Sequence, residues 1–599
     1  MLPRRLTRPL VALSLGVAAL GAACVLMLSH RAPPIADDVA PAVVAHAVDE
    51  ERIEVVPTTS MAAARAAVLA TGGRVELEAG GRLQAMVPRS ARATIEASPA
   101  LDILAAATFV PLQIAPVTAP APAPAAQLMG VDRWRSAGFT GHRVKVAVVD
   151  TGFDGYQEAL GGALPRQVVA KSFRADGRLS GSDHGRRAAE VIASIAPNAT
   201  LYLVNFSTVT ELSAAVDYLV AERVDVVSFS LGYVHNGYGD GTGAVNEAVR
   251  RGTSTGQAWV VAAGNWAQQH WSGPYIDADR DGIHEFATGR PTNTHAFAQG
   301  DLITVSLRWD EPAGQACSDY DLELRGPDGA LIRASRNIQT CHQDPLESIQ
   351  VLVTQAGTYS VRIPGPIGGG YGRQLDLLVI GSPDRGFPLE QSVAAGSLAA
   401  PADNGSVISV GALSQTLQSE ALYSSRGPTT DGRFKPNVLA PAAGAVGGVF
   451  AGTSAAAPHA AGALVLLQEA FPRAAREALT GLVFGRALGV TVVPGDSGAP
   501  RIDLGTLAGL EPLLPAGAEA AALLGVRPPG PGIALMVYRG PPAYPLRFAH
   551  LLLDGRSVRA VYQLDGLAQE WRVFVTGAPS FVNTVDLIGN GAILLVRTE

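Results

Sequence analysis

Continuous apolar runs alternate with helix-like runs through the middle of this chain. Val144–Val149, Leu201–Phe206, Val224–Phe229 and Trp259–Ala263 read as strands buried on both faces, the signature of a parallel sheet. Arg187–Ile195, Glu211–Glu222 and Ala244–Arg251 read as the helices between them. The alternation predicts an α/β fold, a parallel sheet with helices on both faces. Further on, the period changes to two. Leu302–Trp309, Tyr320–Arg325, Ser348–Thr354, Gly357–Ile363 and Leu375–Ile380 alternate like strands between Gly, Pro and Asp turns, which predicts an inserted β-sandwich. Val407–Ala412 then returns to the first sheet. Residues 532–599 carry several short alternating runs and read as a small C-terminal β module.

The ends of the buried strands carry polar residues, and in open α/β sheets sites form at those ends. Lys145–Val149 ends in Asp150-Thr151-Gly152, and Val260–Ala263 ends in Gly264-Asn265. Ser182-Asp183-His184-Gly185 opens a helical run. Gly452-Thr453-Ser454-Ala455-Ala456-Ala457-Pro458 precedes another, with Pro458 expected in its first turn, where a missing N–H has no intrahelical partner. Ser454 is expected to be exposed at that junction, near the positive end of the helix dipole. A serine hydroxyl is a weak nucleophile without a base, so Asp150, His184, Asn265 and Ser454 are read together. Each also has a structural reading: a turn-capping carboxylate, a satisfied core histidine, a turn asparagine, an Ala-rich core helix.

The order Asp150, His184, Asn265, Ser454 and the segments around them resemble the subtilisin-like serine peptidases, from about Leu128 to Leu510. Tyr423–Pro428 and Lys435–Pro441 resemble the segments that precede the family's nucleophile. The resemblance implies Ser454 as nucleophile, His184 as base and Asp150 as the acid that orients it. It implies the Asn265 side-chain amide and the Ser454 N–H as oxyanion donors. Ser228, Phe229, Ser230, Leu231 and Gly232, with Ala262, Ala263 and Gly264, would line the substrate. His459, one turn beyond Ser454, is read as structural, and Asp183 as too close in sequence to orient His184. Two departures stand out. Arg186 and Arg187 follow the His-Gly pair, where a guanidinium disfavours a protonated imidazole. Ala455 replaces the methionine common after the nucleophile.

The resulting division is residues 1–30 as signal peptide or anchor, 31–115 as a propeptide-like region, and 116–127 as a Pro/Ala linker. Residues 128–270 and 396–510 form the peptidase domain and 271–395 the insertion. Residues 511–531 form a second linker before the C-terminal module. Arg4, Arg5 and Arg8 precede an uncharged run from Pro9 to Ser29, which reads as an export signal and is long enough for an uncleaved anchor. An extracytoplasmic protein follows, secreted or periplasmic, or held at the membrane by that segment. Cys317 and Cys341 are then candidates for a disulfide.

With a net charge of −7 and dispersed basic residues, nucleic acid is excluded as a partner. The chemistry needs no cofactor. Asp277, Asp279 and Asp281, followed by Gly282, resemble a calcium loop for a structural ion. Thr288 stands where an EF-hand needs its glutamate, so the loop is not one. The expectation is an exported serine endopeptidase acting on proteins or peptides, its activity falling in acid as His184 protonates. The alternatives are a catalytically impaired protein of this fold acting in binding or adhesion, and an esterase using the same triad.

Overall fold

The computed structural model describes residues 50–104, 107–112, 125–366, 373–414, 419–443, 450–472, a few residues between 497 and 504, and the C-terminal strands named below. The export segment 1–30, most of the linker 116–127 and the linker 511–531 lie outside the described residues. From Ala125 the chain is already helical.

Seven parallel strands form the central sheet. They are β1 (Lys145–Asp150), β2 (Val169–Ser172), β3 (Thr200–Asn205), β4 (Val226–Phe229), β5 (Ala258–Ala262), β6 (Ile408–Leu413) and β7 (Val438–Pro441), in the order β7-β6-β5-β4-β1-β3-β2. Helices cover both faces. On one, α1 (His184–Ile195) and α4 (Thr453–Ala470) share a core with Val146, Val148, Val260 and Val410. On the other, α2 (Val209–Ala221) and α3 (Ala244–Ser254) pack on Ala147, Val149, Val227 and Val261. Neighbours in sequence thus face opposite layers, which is why the inner strands are largely apolar, while the edge strand β2 is exposed and carries Lys171 and Ser172.

The helix α4 begins at Thr453, so Pro458 lies inside it rather than in its first turn. Proline has no N–H to give the carbonyl four residues back. The Ser454 carbonyl instead accepts the Ser230 hydroxyl at 3.0 Å.

Between Asn265 and β6 the chain leaves the sheet and builds two antiparallel four-stranded sheets packed face to face. One has the order His270–Pro274, Gln374–Ser382, Leu302–Trp309, Leu346–Leu352. The other runs Asn293–Phe297, Gly357–Arg362, Leu322–Arg325, Leu331–Ser335. Their inner faces share one core containing Val305, Trp309, Leu377, Tyr320, Leu324 and Val361. Cys317 and Cys341 are joined by a disulfide.

Two further β units lie toward the ends of the chain. Arg74–Ala79, Arg82–Pro88, Glu50–Pro57 and Leu101–Ile103 form an antiparallel sheet under the helix Met61–Ala70. This unit meets the start of α2. A Glu54 carboxylate oxygen accepts the Thr210 N–H and hydroxyl at 2.6 Å each, and Gln84 donates to Glu211. At the other end, Gly532–Val537, Ile593–Thr598, Val558–Asp565 and Glu570–Val575 form a four-stranded antiparallel sheet. Among the described residues no helix is long and apolar enough to cross a membrane.

Candidate active site

Three side chains from distant parts of the chain meet at the carboxyl ends of the central strands. Asp150 ends β1, His184 opens α1 and Ser454 is the second residue of α4. His184 Nδ1 lies 2.8 and 2.9 Å from the two Asp150 oxygens, and its Nε2 lies 2.9 Å from Ser454 Oγ. Asp150 also accepts the Thr151 N–H at 2.7 Å, which holds its carboxylate in place. A carboxylate can only accept, so the Nδ1 proton faces it and the Nε2 lone pair faces the serine. All three residues are buried. The expected exposure of Ser454 is therefore corrected: its accessible area is 0% because another part of the chain covers it.

That cover is the segment Phe109–Leu112. Phe109, Val110 and Pro111 pair antiparallel with Tyr233, Gly232 and Leu231. The Leu112 N–H donates to the Ser230 carbonyl at 3.1 Å, and the Leu112 carbonyl accepts the Ser454 N–H at 2.9 Å. The Leu112 side chain is buried beside Gly232. A Cβ on Gly232 would come within 2.8 Å of both Leu112 Cδ2 and the Ala399 methyl, and within 3.0 Å of the Trp266 ring. Phe109 packs on Phe206 and Tyr233, with ring centroids 5.9 and 5.5 Å away.

Asn265 follows the end of β5. Its Oδ1 accepts the Thr453 N–H at 3.0 Å and the Thr453 hydroxyl at 2.9 Å. Those donors fix which end of the amide is which, and Nδ2 is left buried with no hydrogen-bond partner. A buried donor left unpaired costs free energy that an acceptor placed beside it would recover. Gly264 holds the preceding turn at φ +120°, where a Cβ would stand 2.5 Å from Ser425 Oγ.

The other sequence-picked residues divide into two groups. Ser230, Leu231 and Gly232 contact the covering segment. Ser228 and Phe229 sit one layer back, inside β4, where the Phe229 ring stacks on Phe206 at 6.2 Å. Ala262, Ala263 and Gly264 are buried at the end of β5, and the Ala263 carbonyl accepts the Ala399 N–H. Asp183 pairs with Arg186 and Arg187 rather than with His184, and Arg186 also pairs with the buried Glu190. Both guanidinium charges are thus matched by carboxylates, Asp183 at the cap of α1 and Glu190 within it. His459 is buried with Nδ1 2.8 Å from the Ala455 carbonyl, and burial pulls its pKa down to about 4. Leu112, Phe109, Tyr233, Ala399 and Trp266 were not picked from sequence. Nothing local marks them, since each gains meaning only from the partner across the cleft.

Asp277, Asp279 and Asp281 each bring one carboxylate oxygen within 4.8 Å of the others. These oxygens accept the N–H groups of Asp281, Gly282 and Ile283. The oxygen chemistry suits a hard cation.

Residues 141–289 and 381–501 match the model of the subtilase family. Those two stretches form a subtilase-type domain. The subtilase match leaves out most of the sandwich, and its two halves contain Asp150, His184, Asn265 and Ser454. Among characterised relatives, the minor extracellular protease Vpr of Bacillus subtilis is 23% identical over 410 residues, which are 60% of this chain and 49% of Vpr. Subtilisin E of the same species is 30% identical over 148 residues, 22% of this chain and 36% of that protein. The chain spans about half the length of Vpr and of subtilisin DY from Bacillus licheniformis (49% and 53%). Among solved structures, the CspB protease of Clostridium perfringens aligns with a TM-score of 0.46 at 17% identity, covering 65% of this chain and 98% of that one.

Proposed function

We propose that this chain is an exported serine endopeptidase acting through Asp150, His184 and Ser454, and that residues before Gln113 are its propeptide. One observation carries the reading: the chain's own Leu112 carbonyl rests on the Ser454 N–H at 2.9 Å, beside a hydroxyl that is 2.9 Å from an imidazole oriented by a carboxylate. That is the arrangement of an acyl group about to be transferred.

In this reading Ser454 Oγ gives its proton to His184 Nε2 and bonds to the Leu112 carbonyl carbon. The negative charge that develops on the carbonyl oxygen is met by the Ser454 N–H and by the spare Nδ2 of Asn265. The imidazolium hands its proton to the Gln113 nitrogen as the C–N bond breaks, leaving a Leu112–Ser454 ester. Water then gives a proton to His184 and its oxygen to the acyl carbon, and Ser454 recovers its proton. Asp150 stays ionised throughout and stabilises the imidazolium. The buried Leu112 side chain supports an apolar, leucine-sized preference at the residue before the cut.

The extracellular naming of Vpr supports export. Calcium, where it binds, is structural in this reading. Chelation is expected to lower the melting temperature, and the loss should vanish in Asp277→Asn/Asp279→Asn.

A fluorophosphonate probe and the processed amino terminus test the proposal together. Wild type should take up the probe and begin at Gln113, and Ser454→Ala should do neither. Folded, processed wild type that takes up no probe would sink the peptidase reading. An amino terminus far from Gln113 would sink the placement of the propeptide.

A further inference from the structure

The strand Leu302–Trp309 of the insertion is buried on both faces. Ile303, Val305, Leu307 and Trp309 enter the sandwich core. The alternate residues Thr304, Ser306 and Arg308 point the other way, toward the loop that continues the segment pairing with Phe109–Pro111. Ser306 Oγ is 2.9 Å from His235 Nδ1, and Arg308 donates to the Gly237 carbonyl at 2.7 Å. Asp376, on the neighbouring strand, holds His235 Nε2 at 3.2 Å and His270 Nε2 at 2.9 Å, and pairs with Arg308. Burial alone would raise the Asp376 pKa, but Arg308, His235 and His270 hold it well below the usual carboxylate range. The insertion is thus fastened to the strand that lines the cleft.

At the same end it reaches the covering segment. Thr108 extends the pairing past Phe109, its carbonyl accepting the Val234 N–H at 3.0 Å. Its hydroxyl lies 3.3 Å from Nε2 of Gln350, on the insertion strand Leu346–Leu352, and the same nitrogen lies 3.4 Å from Thr304 Oγ1. Counting back from the carbonyl on Ser454, Thr108 is the fifth residue. A threonine hydroxyl both donates and accepts, so it suits either end of a glutamine amide.

We propose that the inserted sandwich builds part of the substrate cleft, with Gln350, backed by Thr304, selecting a hydrogen-bonding side chain at the fifth residue on the acyl side of the cut. The inference rests on the peptidase reading above. It gives the insertion a role in choosing long, extended substrates, since a tetrapeptide would never reach it.

The full-length chain, after its own processing, is assayed on fluorogenic peptides ending in Leu at the cut: Phe-Val-Pro-Leu, Thr-Phe-Val-Pro-Leu and Val-Phe-Val-Pro-Leu. One neutral hydrogen bond at an exposed rim predicts a kcat/KM about 2- to 10-fold higher for the Thr peptide than for the Val peptide. Gln350→Ala should bring that ratio to about one, and Gln350→Glu, which still accepts from the hydroxyl, should retain it. Gln350 is exposed, so neither change disturbs a core. Equal Thr and Val rates in wild type, or a ratio that survives in Gln350→Ala, would overturn the subsite while leaving the peptidase standing. No Ser454-dependent hydrolysis even of Phe-Val-Pro-Leu would remove the peptidase reading and the subsite with it.

Discussion

At the scale of single residues, Asn265 and Arg186 make opposite points. Asn265 spends its oxygen on Thr453 and keeps a buried N–H free, an arrangement that costs stability unless an oxyanion uses it. Asn265→Ala is expected to lower kcat by about 10²–10³, a range taken from a subtilisin, with KM little changed. Steady-state rates on one peptide check this. Arg186 looks threatening in the sequence because it follows His184-Gly185. In the fold it neutralises Glu190, which is only 3% exposed. Arg186→Ala should therefore act on stability. A loss of roughly 2–3 kcal/mol is expected, below the ~3–5 of a fully buried pair because the arginine reaches water. Urea unfolding measures that loss. An acid limb of kcat/KM that moved with this substitution would show that the guanidinium does act on the imidazole.

At the scale of elements, α4 is the instructive case. Pro458 suggests a helix start, yet the helix begins five residues earlier at Thr453. The sheet makes this tolerable: Ser230, at the end of the neighbouring strand, supplies the donor that proline lacks. In a Ser454→Ala background that prevents self-digestion, Ser230→Ala should cost about 1–3 kcal/mol by leaving a buried carbonyl unpaired. Adding Pro458→Ala should recover part of it, because the new N–H can reach the same carbonyl. Equal losses with and without the proline would refute this account. The exposed edge strand β2 and the short β7 are not legible in the sequence. The other five of the seven central strands are, for the same physical reason that α4 is not. Their apolar runs report burial on both faces, a property each segment carries by itself. In the insertion, Leu302–Trp309 was read to the residue, but Asn293–Phe297 and Leu331–Ser335 were missed. The first is largely polar and the second is exposed, so neither shows a clean period of two.

At the scale of the whole molecule, stability should depend on acid through buried histidines. His459 in α4 and His284 in the insertion are both lowered to about 4, chiefly by burial. An unfolded chain would protonate them near 6.5. It therefore binds more protons than the folded one between about 6.5 and 4, and stability falls as pH drops through that window. Thermal melts across it should show the decline. His459→Leu should flatten part of it, and an unchanged slope would remove His459 as a contributor. The N-terminal unit works on the same scale. It caps α2 with Glu54 and lays Phe109–Leu112 against Leu231–Tyr233, so it is held both at α2 and along the cleft.

By itself the sequence determined most of the parallel sheet and the existence of the sandwich, because short segments carry burial in their own patterns, and its resemblance to a family picked out Asp150, His184, Asn265 and Ser454 as candidates. Tertiary structure decided what those residues face. It put Leu112 on Ser454, left one Asn265 hydrogen unpartnered, turned Arg186 toward Glu190, and brought Gln350 of the insertion within 3.3 Å of Thr108. Such pairings join residues far apart in the chain, and no local pattern encodes the closing of so long a loop.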